Sequence, residues 1–134
     1  MIYSTGNTHL LSALITKASG MDTHSFALGA IFAGIAVALG ALGAHGLKNI
    51  VEEAALQTWE VAVRYQFWHG LALLITAFAA EKLSADACRL ARRLFVIGIL
   101  LFSGSLYGLT LGGPSWLGPV TPVGGLALLG GWVI

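Results

Sequence analysis

The sequence predicts an all-α integral membrane protein: a four-helix bundle with a short amphipathic interfacial helix between its first and second spans. Three observations support this prediction. Of the 134 residues, 57% are hydrophobic and only 10% are charged, against roughly 25% charged in a typical soluble domain. The charged residues are confined to short segments, and these segments separate four apolar runs. Four such runs leave too little polar surface for a soluble protein of this length.

Charged and turn-forming residues set the limits of the four spans. A span needs about 20 apolar residues to cross a hydrocarbon core of roughly 30 Å. The predicted spans are residues 26–44, 65–80, 94–111 and 121–134. The last begins at Thr121 and Pro122, because Thr is a good N-cap and Pro is favoured at the first helical position. Residues 26–134 then form one transmembrane domain, preceded by an N-terminal tail over residues 1–25.

Both ends of the chain raise an expectation about its limits. The tail contains Met21, which is an alternative start to Met1. A fourth helix from Pro122 to Ile134 would be about 20 Å long, which is short for the hydrocarbon core. We therefore expect a truncated sequence, a locally thinned bilayer, or a partner that shields the end of this helix.

The segment "NIVEEAALQTWEVAVRYQ", residues 49–66, predicts the interfacial helix. Asn49 and Glu52 have the spacing of a capping box, so a helix should begin there. Polar and apolar residues then recur on opposite sides at helical spacing, which is typical of a helix lying in the membrane interface. Trp59 and Tyr65 suit the aromatic belt of that interface. A helix packed as a cap over the bundle is the alternative, and the two interpretations are compatible.

The distribution of Lys and Arg predicts the orientation. With four spans, the segment before the first span, the loop between the second and third spans, and the C-terminus share one side. That side carries Lys17, Lys82, Arg89, Arg92 and Arg93, whereas the other side carries Lys48 and Arg64. Cytoplasmic segments are enriched in Lys and Arg, so both termini are predicted to be cytoplasmic.

Net charge and cysteine content limit the classes of partner. The formal net charge is +1, and the sequence lacks the clustered Lys and Arg that nucleic-acid binding requires. The expected partners are the lipid bilayer and, among proteins, further copies of this chain or a larger membrane complex. Cys88, the single cysteine, can form neither an internal disulfide nor a Cys-x-x-Cys pair. It is interpreted as a structural thiol.

The polar residues of the spans are predicted to meet at the outer face, where the first and third spans end and the second and fourth begin. The candidate cluster consists of His45, Arg64, Tyr65, Gln66, His69, Ser103, Ser105, Tyr107 and Thr121. His45 would close its helix, because Gly46 can end it. His69 lies about 7 Å further along its helix than Arg64, inside the hydrocarbon, where an ionisable side chain suggests a function or a specific partner.

Four interpretations of this cluster remain open. It is a structural network that fixes helix packing, or a site that binds or transports an ion, a proton, a lipid or a small molecule, with His45 and His69 as carriers. Metal or haem ligation by the two histidines is a third interpretation, although they supply only half of a typical four-ligand metal site. Catalysis is the fourth, but no soluble-enzyme motif is present. We therefore expect no enzyme activity, no cofactor and no metal.

Small residues predict close helix packing. Gly29 and Ala33 lie four residues apart on the first span, and Gly104, Gly108 and Gly112 repeat this spacing on the third. Such ridges let helices approach closely in lipid.

Four segments carry a resemblance to a known family: "LGALGAHGLK", "VRYQFWHG", "GILLFSGSLYGL" and "WLGPVTPVGG". Together they resemble the small four-helix membrane proteins of domain-of-unknown-function family 423, which is related to transmembrane protein 256 of eukaryotes. The resemblance covers residues 26–132. It implies a multi-pass protein of the bacterial inner membrane whose molecular activity is not established.

Two functions of different class follow. The first is a noncatalytic accessory or scaffold protein of the inner membrane, whose polar network fixes one helix arrangement. The alternative is a protein that binds or transports an ion, a proton, a lipid or another small molecule through the outer-face cluster, with His69 changing its protonation state.

Overall fold

A computed structural model describes residues 20–134, which form four helices and contain no strand. The helices are α1 (Thr23–Leu42), α2 (Glu53–Phe78), α3 (Ala85–Thr110) and α4 (Leu117–Val133). A π-helical turn, Gly43–Leu47, prolongs α1, and a 3-10 turn, Ala79–Glu81, follows α2. The prediction of an all-α fold is confirmed. Of the tail expected over residues 1–25, residues 1–19 lie outside the described part, and residues 23–25 already belong to α1.

Capping residues explain where two of the helices begin. Asp22 precedes α1 with an extended backbone, and its carboxylate accepts a hydrogen bond from the backbone N–H of His24 at 3.1 Å. Ser84 precedes α3 in the same way and accepts from the N–H of Ala87 at 3.1 Å. Both side chains satisfy a donor that a helix start leaves without an intrahelical partner.

The second helix differs from its prediction. The segment expected as a separate interfacial helix is the first part of α2, which runs without a break through 26 residues. The helix begins at Glu53 and has no side-chain cap, so the predicted capping box of Asn49 and Glu52 does not form. Trp59 is 3% exposed rather than part of an interfacial belt. The amphipathic pattern is present, but its polar face belongs to the first part of α2, and this helix continues into the apolar layer.

Two other boundaries are corrected. α4 begins at Leu117, so Thr121 and Pro122 lie inside it. Pro122 is the sixth residue of this helix and lacks the N–H that would bond the carbonyl oxygen of Gly118, so α4 has one intrahelical hydrogen bond fewer there. Gly46 does not end the first helix, because the π-helical turn continues to Leu47.

Within residues 20–134, two helices are long and apolar enough to cross a membrane by length and composition: Thr23–Leu47, including the π-helical turn, and Ala85–Thr110. Leu117–Val133 is a shorter apolar helix. The first part of α2 carries Glu53, Glu60 and Arg64, and these residues make it more polar than its neighbours.

The helices pack as two antiparallel hairpins. The most extensive contacts join α1 to α2 and α3 to α4, and a smaller interface joins α2 to α3. Within the first hairpin, a Cβ atom built on Gly29 would lie 2.6 Å from the carbonyl oxygen of Gly70. Within the second, a Cβ atom on Gly124 would lie 2.3 Å from the backbone nitrogen of Phe102. Small residues therefore set the helix separation inside each hairpin.

The predicted small-residue ridge of α3 is only partly used. Apart from the adjoining backbone of α3, no described residue has an atom within 4 Å of a Cβ built on Gly104, and Gly112 lies in a turn beyond the helix with φ +86°. The close approach on α3 occurs instead at Gly98, against Leu128 of α4. The apolar core lies where the hairpins meet, and it consists of Ala72, Leu73, Ala91, Phe95, Ile99 and Leu128.

Candidate functional site

Gln66 is the centre of the polar contacts between the helices. It is 4% exposed and lies on α2. Its Nε2 donates to the carbonyl oxygen of Phe32 on α1 at 2.9 Å, and its Oε1 accepts from the hydroxyl of Tyr107 on α3 at 2.7 Å. The ring of Tyr107 packs against Trp59 with centroids 4.6 Å apart. The Trp59 indole in turn donates to the carbonyl oxygen of Leu39 at 2.8 Å. One amide side chain thus joins three helices.

His69 is 7% exposed and uses both ring nitrogens within the protein. Nδ1 lies 2.7 Å from the carbonyl oxygen of Tyr65, one turn earlier on α2. Nε2 accepts a hydrogen bond from the indole N–H of Trp132 on α4 at 3.1 Å. Because a carbonyl can only accept and an indole N–H can only donate, the assigned form is the neutral imidazole with its proton on Nδ1.

Aromatic rings surround this imidazole. The His69 ring is stacked on Tyr65 at a centroid distance of 5.9 Å, and it lies 5.9 Å from Phe95 and 6.1 Å from Trp132. Tyr65 also packs against Phe102 at 4.5 Å. These contacts hold the imidazole between α2, α3 and α4.

The hydroxyl groups of the predicted cluster also link helices. Ser103 donates to the carbonyl oxygen of Ala62 at 2.7 Å, which joins α3 to α2. The hydroxyl oxygens of Ser105 and Thr121 lie 2.5 Å apart, which joins α3 to α4. Among described residues, no buried side-chain nitrogen or oxygen lacks a hydrogen-bond partner. The network therefore presents no free buried donor or acceptor.

His45 and Arg64 lie outside this network. Both side chains are exposed, and neither makes a hydrogen bond or ion pair with residues 20–134. Gly43, two residues before His45, contacts Trp59, whereas His69 is ten residues further along α2. Ten residues correspond to about 15 Å along a helix, so the structure places His45 and His69 apart and does not bring them into one site. No group of three or more His, Cys, Asp or Glu side chains in the described part of the chain could hold a metal ion.

The indole N–H donors of Trp59 and Trp132 belong to the site. The sequence pattern predicts an interfacial position for Trp59 and assigns no role to Trp132. Neither had a sequence signal for its role, because their acceptors, a backbone carbonyl and a histidine, lie 20 and 63 residues away along the chain.

A second polar group missed by the sequence analysis lies at the opposite end of the molecule, around Asp22. Its carboxylate accepts from the guanidinium of Arg92 at 2.7 Å, from the hydroxyl of Ser25 at 2.6 Å and from the thiol of Cys88 at 3.3 Å. Its backbone N–H donates to the carbonyl oxygen of Ala77 at 3.0 Å. Asp22 therefore ties the start of α1 to α2 and α3. The cap could have been predicted, since Asp is a preferred N-cap, but its ion pair spans 70 residues.

The surroundings of Asp22 favour its charged form. Partial burial alone would raise its pKa, but the hydrogen bonds from Ser25 and Cys88 and the charge of Arg92 outweigh burial. Together they hold the pKa of Asp22 below its ordinary value of 3.8.

Side-chain hydrogen bonds have a consistent place in the architecture. Among the described residues, most side-chain hydrogen bonds that join different helices cross the interface between the two hairpins: Gln66 with Tyr107, Ser103 with Ala62, His69 with Trp132, and Asp22 with Arg92 and Cys88. Inside each hairpin, close contact between small residues dominates. The candidate site is therefore better described as the polar seam between the two halves than as a cluster at one face.

Comparison with known proteins identifies the family. The family described as "Protein of unknown function (DUF423)" matches residues 39–125. The chain is 46% identical over 108 residues to UPF0382 membrane protein YwdK of Bacillus subtilis, covering 80% of this chain and 88% of that protein. It is 44% identical over 107 residues to UPF0382 membrane protein SAB0533 of Staphylococcus aureus, covering 80% of this chain and 87% of that protein.

A third relative agrees. A UPF0382 membrane protein of Haemophilus influenzae is 43% identical over 97 residues, covering 72% of this chain and 77% of that protein. No solved structure matches the chain. The relatives are named as membrane proteins without a stated activity, and the matched residues include most of the polar seam. The chain therefore belongs to the DUF423 family of unknown function and is a membrane protein.

Proposed function

We propose that this protein is a noncatalytic accessory or scaffold protein that acts through contacts with other membrane proteins. The observation that carries the proposal is the saturation of the polar seam. Every described buried side-chain nitrogen and oxygen has a partner within the protein, and both nitrogens of His69 are occupied. A transport or binding site needs donors or acceptors that a ligand can use, and this seam offers none without breaking a contact between helices.

The proposed location is the inner membrane, with four spans and both termini in the cytoplasm. The proteins of the bacterial outer membrane are typically β-barrels, whereas the described chain is helical, which supports the inner membrane. The four helices are antiparallel in sequence order. The greater number of Lys and Arg residues on the side of both termini supports the orientation.

Alanine substitution of His69 and His45 tests the proposal. His69→Ala removes two hydrogen bonds and leaves the Trp132 indole N–H unpaired, so we expect a loss of about 1–3 kcal/mol in stability. His45→Ala is the matched control, because this side chain is exposed, and it should leave the melting temperature in mild detergent unchanged. Proton flux is measured in parallel, with the protein in liposomes that enclose a pH-sensitive dye.

A scaffold predicts that liposomes containing the wild-type protein respond to an imposed pH gradient no faster than empty liposomes. The transport alternative predicts a proton flux in the wild type and an unchanged melting temperature in His69→Ala. Proton flux in the wild type that disappears in His69→Ala, with an unchanged melting temperature, would replace the scaffold proposal by proton transport.

A further inference from the structure

An open groove runs along one side of the first hairpin, between α1 and α2. Two adjoining hollows of about 210 and 280 Å³ form it, and both are lined by Gly40, Val63 and Arg64. The groove exists because Gly40 has no side chain: a Cβ atom there would lie 3.3 Å from the Val63 side chain. Its walls are apolar, and they include Val37 at 64% and Phe67 at 36% exposure.

Two opposite charges border this groove. Glu60 and Arg64 lie one turn apart on α2, and both are exposed. Within residues 20–134 neither forms an ion pair, with each other or with any other side chain. The spacing would allow a pair along the helix, but the two charged groups do not meet.

Arg64 lies at the boundary of the apolar layer. It lies 11 residues after the start of the 26-residue helix α2, which is about 16 Å along a helix of about 39 Å, and it directly precedes the apolar run 65–80. An unpaired charge that borders an apolar groove at this position is suited to an opposite charge on a protein partner.

A protein partner fits this surface better than a lipid. An anionic phosphate would pair with Arg64 but would be repelled by Glu60 beside it. A second copy of this chain supplies both a carboxylate and a guanidinium. In a symmetric pair with parallel α2 helices, Arg64 of one copy lies one turn, about 6 Å, from the level of Glu60 on the other. Both side chains lean towards the N-terminus, and the longer Arg side chain can span this offset.

We propose that a second copy of this chain docks along the groove between α1 and α2, with Glu60 of each copy paired to Arg64 of its partner. Val37 and Phe67 of the two copies cover each other's apolar walls. The contact is isologous, so it forms a closed dimer about an axis along the membrane normal. This inference rests on the proposed scaffold role, because it names the surface through which the chain would assemble.

Reciprocal charge reversal tests the pairing. Glu60→Arg alone and Arg64→Glu alone each place two like-charge pairs in the dimer, so we expect each variant to self-associate at least about tenfold more weakly than the wild type. When the two variants are mixed, every pair is again of opposite charge, and the mixed dimer should regain wild-type association. Arg93→Glu, an exposed reversal at the other end of the molecule, is the control and should associate normally.

Association is measured as energy transfer between donor- and acceptor-labelled copies in liposomes at increasing lipid dilution. The melting temperatures of the variants and the wild type are compared at a dilution where all are monomeric, because association itself stabilises the folded state. Equal values there exclude misfolding. The dimer would be overturned by a wild type that is monomeric at every dilution, or by a mixture of the two variants that does not regain association. It would also be overturned if native mass spectrometry showed an anionic lipid bound to the wild type, absent from Arg64→Glu and absent from the mixture.

These results are independent of the His69 experiment. A monomeric protein without proton flux would overturn the dimer alone, whereas proton flux through a dimer would overturn the scaffold role alone.

Discussion

Trp132 and His69 are joined by a hydrogen bond of 3.1 Å between the indole N–H and Nε2 of the imidazole. This contact links the last turns of α4 to the middle of α2, across the seam between the two hairpins. The second ring nitrogen of His69 faces the carbonyl oxygen of Tyr65. The imidazole is therefore held as a bridging group with a defined tautomer, and this arrangement leads to the first prediction.

Trp132→Phe keeps an aromatic ring but removes the donor to His69. We expect the protein to lose about 1 kcal/mol of stability, the usual size of a hydrogen bond between membrane helices. The free energy of unfolding in mixed detergent micelles measures the loss. Trp116→Phe is the matched control, because Trp116 is 65% exposed. Equal effects of the two substitutions would show that the hydrogen bond to His69 contributes nothing.

Gln66 and Tyr107 should be energetically coupled. Gln66→Met and Tyr107→Phe each remove one side of the hydrogen bond of 2.7 Å between them. We expect the double variant to lose about 1 kcal/mol less stability than the two single variants lose together. A double-mutant cycle of unfolding free energies gives this coupling directly. Strict additivity would mean that the bond between α2 and α3 is not a stabilising contact.

Gly124→Ala should separate the helices of the second hairpin. The new methyl group would lie 2.3 Å from the backbone of Phe102, and backbone cannot move aside without shifting α4. We expect a loss of about 1–3 kcal/mol or more. Gly104→Ala adds the same methyl group to open space on α3, so its melting temperature in detergent should stay near that of the wild type. A tolerated Gly124→Ala would contradict the close approach of α3 and α4.

Asp22 should make stability depend on acid. Its pKa is lower in the folded protein than its ordinary value of 3.8, through its hydrogen bonds and Arg92. The stabilisation is therefore present above the ordinary pKa and is lost as the pH falls through the lower folded value. We expect melting temperatures of the wild type to fall below a pH of about 4, and this loss should be smaller in Asp22→Asn.

The control for the acid experiment is Asp86→Asn. The side chain of Asp86 is 87% exposed and pairs only with Arg89 at the surface. This variant leaves the contacts of Asp22 intact, so it should lose stability with acid as the wild type does. If Asp22→Asn is as acid-sensitive as the wild type, another group causes the loss.

Hydrophobic patterning predicts the helices well, because every apolar run in a membrane must satisfy its own backbone hydrogen bonds. A helix does this whatever its neighbours are. The charges were less reliable as boundaries. Arg64 was used to begin a span, but α2 passes through it and starts at Glu53. Arg92 and Arg93 were placed before the third span, although α3 begins at Ala85. Long basic side chains can extend from inside a helix towards water, so a charge limits the apolar layer and not the helix.

The polar contacts could be predicted as a set of residues and not as pairs. Gln66, His69, Ser103 and Tyr107 stand out because polar groups are rare in apolar runs, and the structure buries or half-buries all four. Which partner each of them contacts depends on how its helix is rotated about its own axis. Hydrophobicity alone does not define this rotation when most of the helix surface is apolar. His45 is at the right end of α1 but on its exposed side.

The division into two hairpins has a consequence for how the protein is made. Each hairpin is held by contacts between helices that are consecutive in the chain, so each can complete its packing as soon as its second helix has entered the bilayer. Ser103 and Arg92 find their partners only when the halves meet. Gln66 and His69 each have one partner within the first half, and they gain Tyr107 and Trp132 when the halves meet. Until then these groups are exposed to an environment that solvates them poorly, and this gives the newly inserted halves a strong drive to associate. A solitary second half would leave the Tyr107 hydroxyl and the Trp132 indole N–H without these partners.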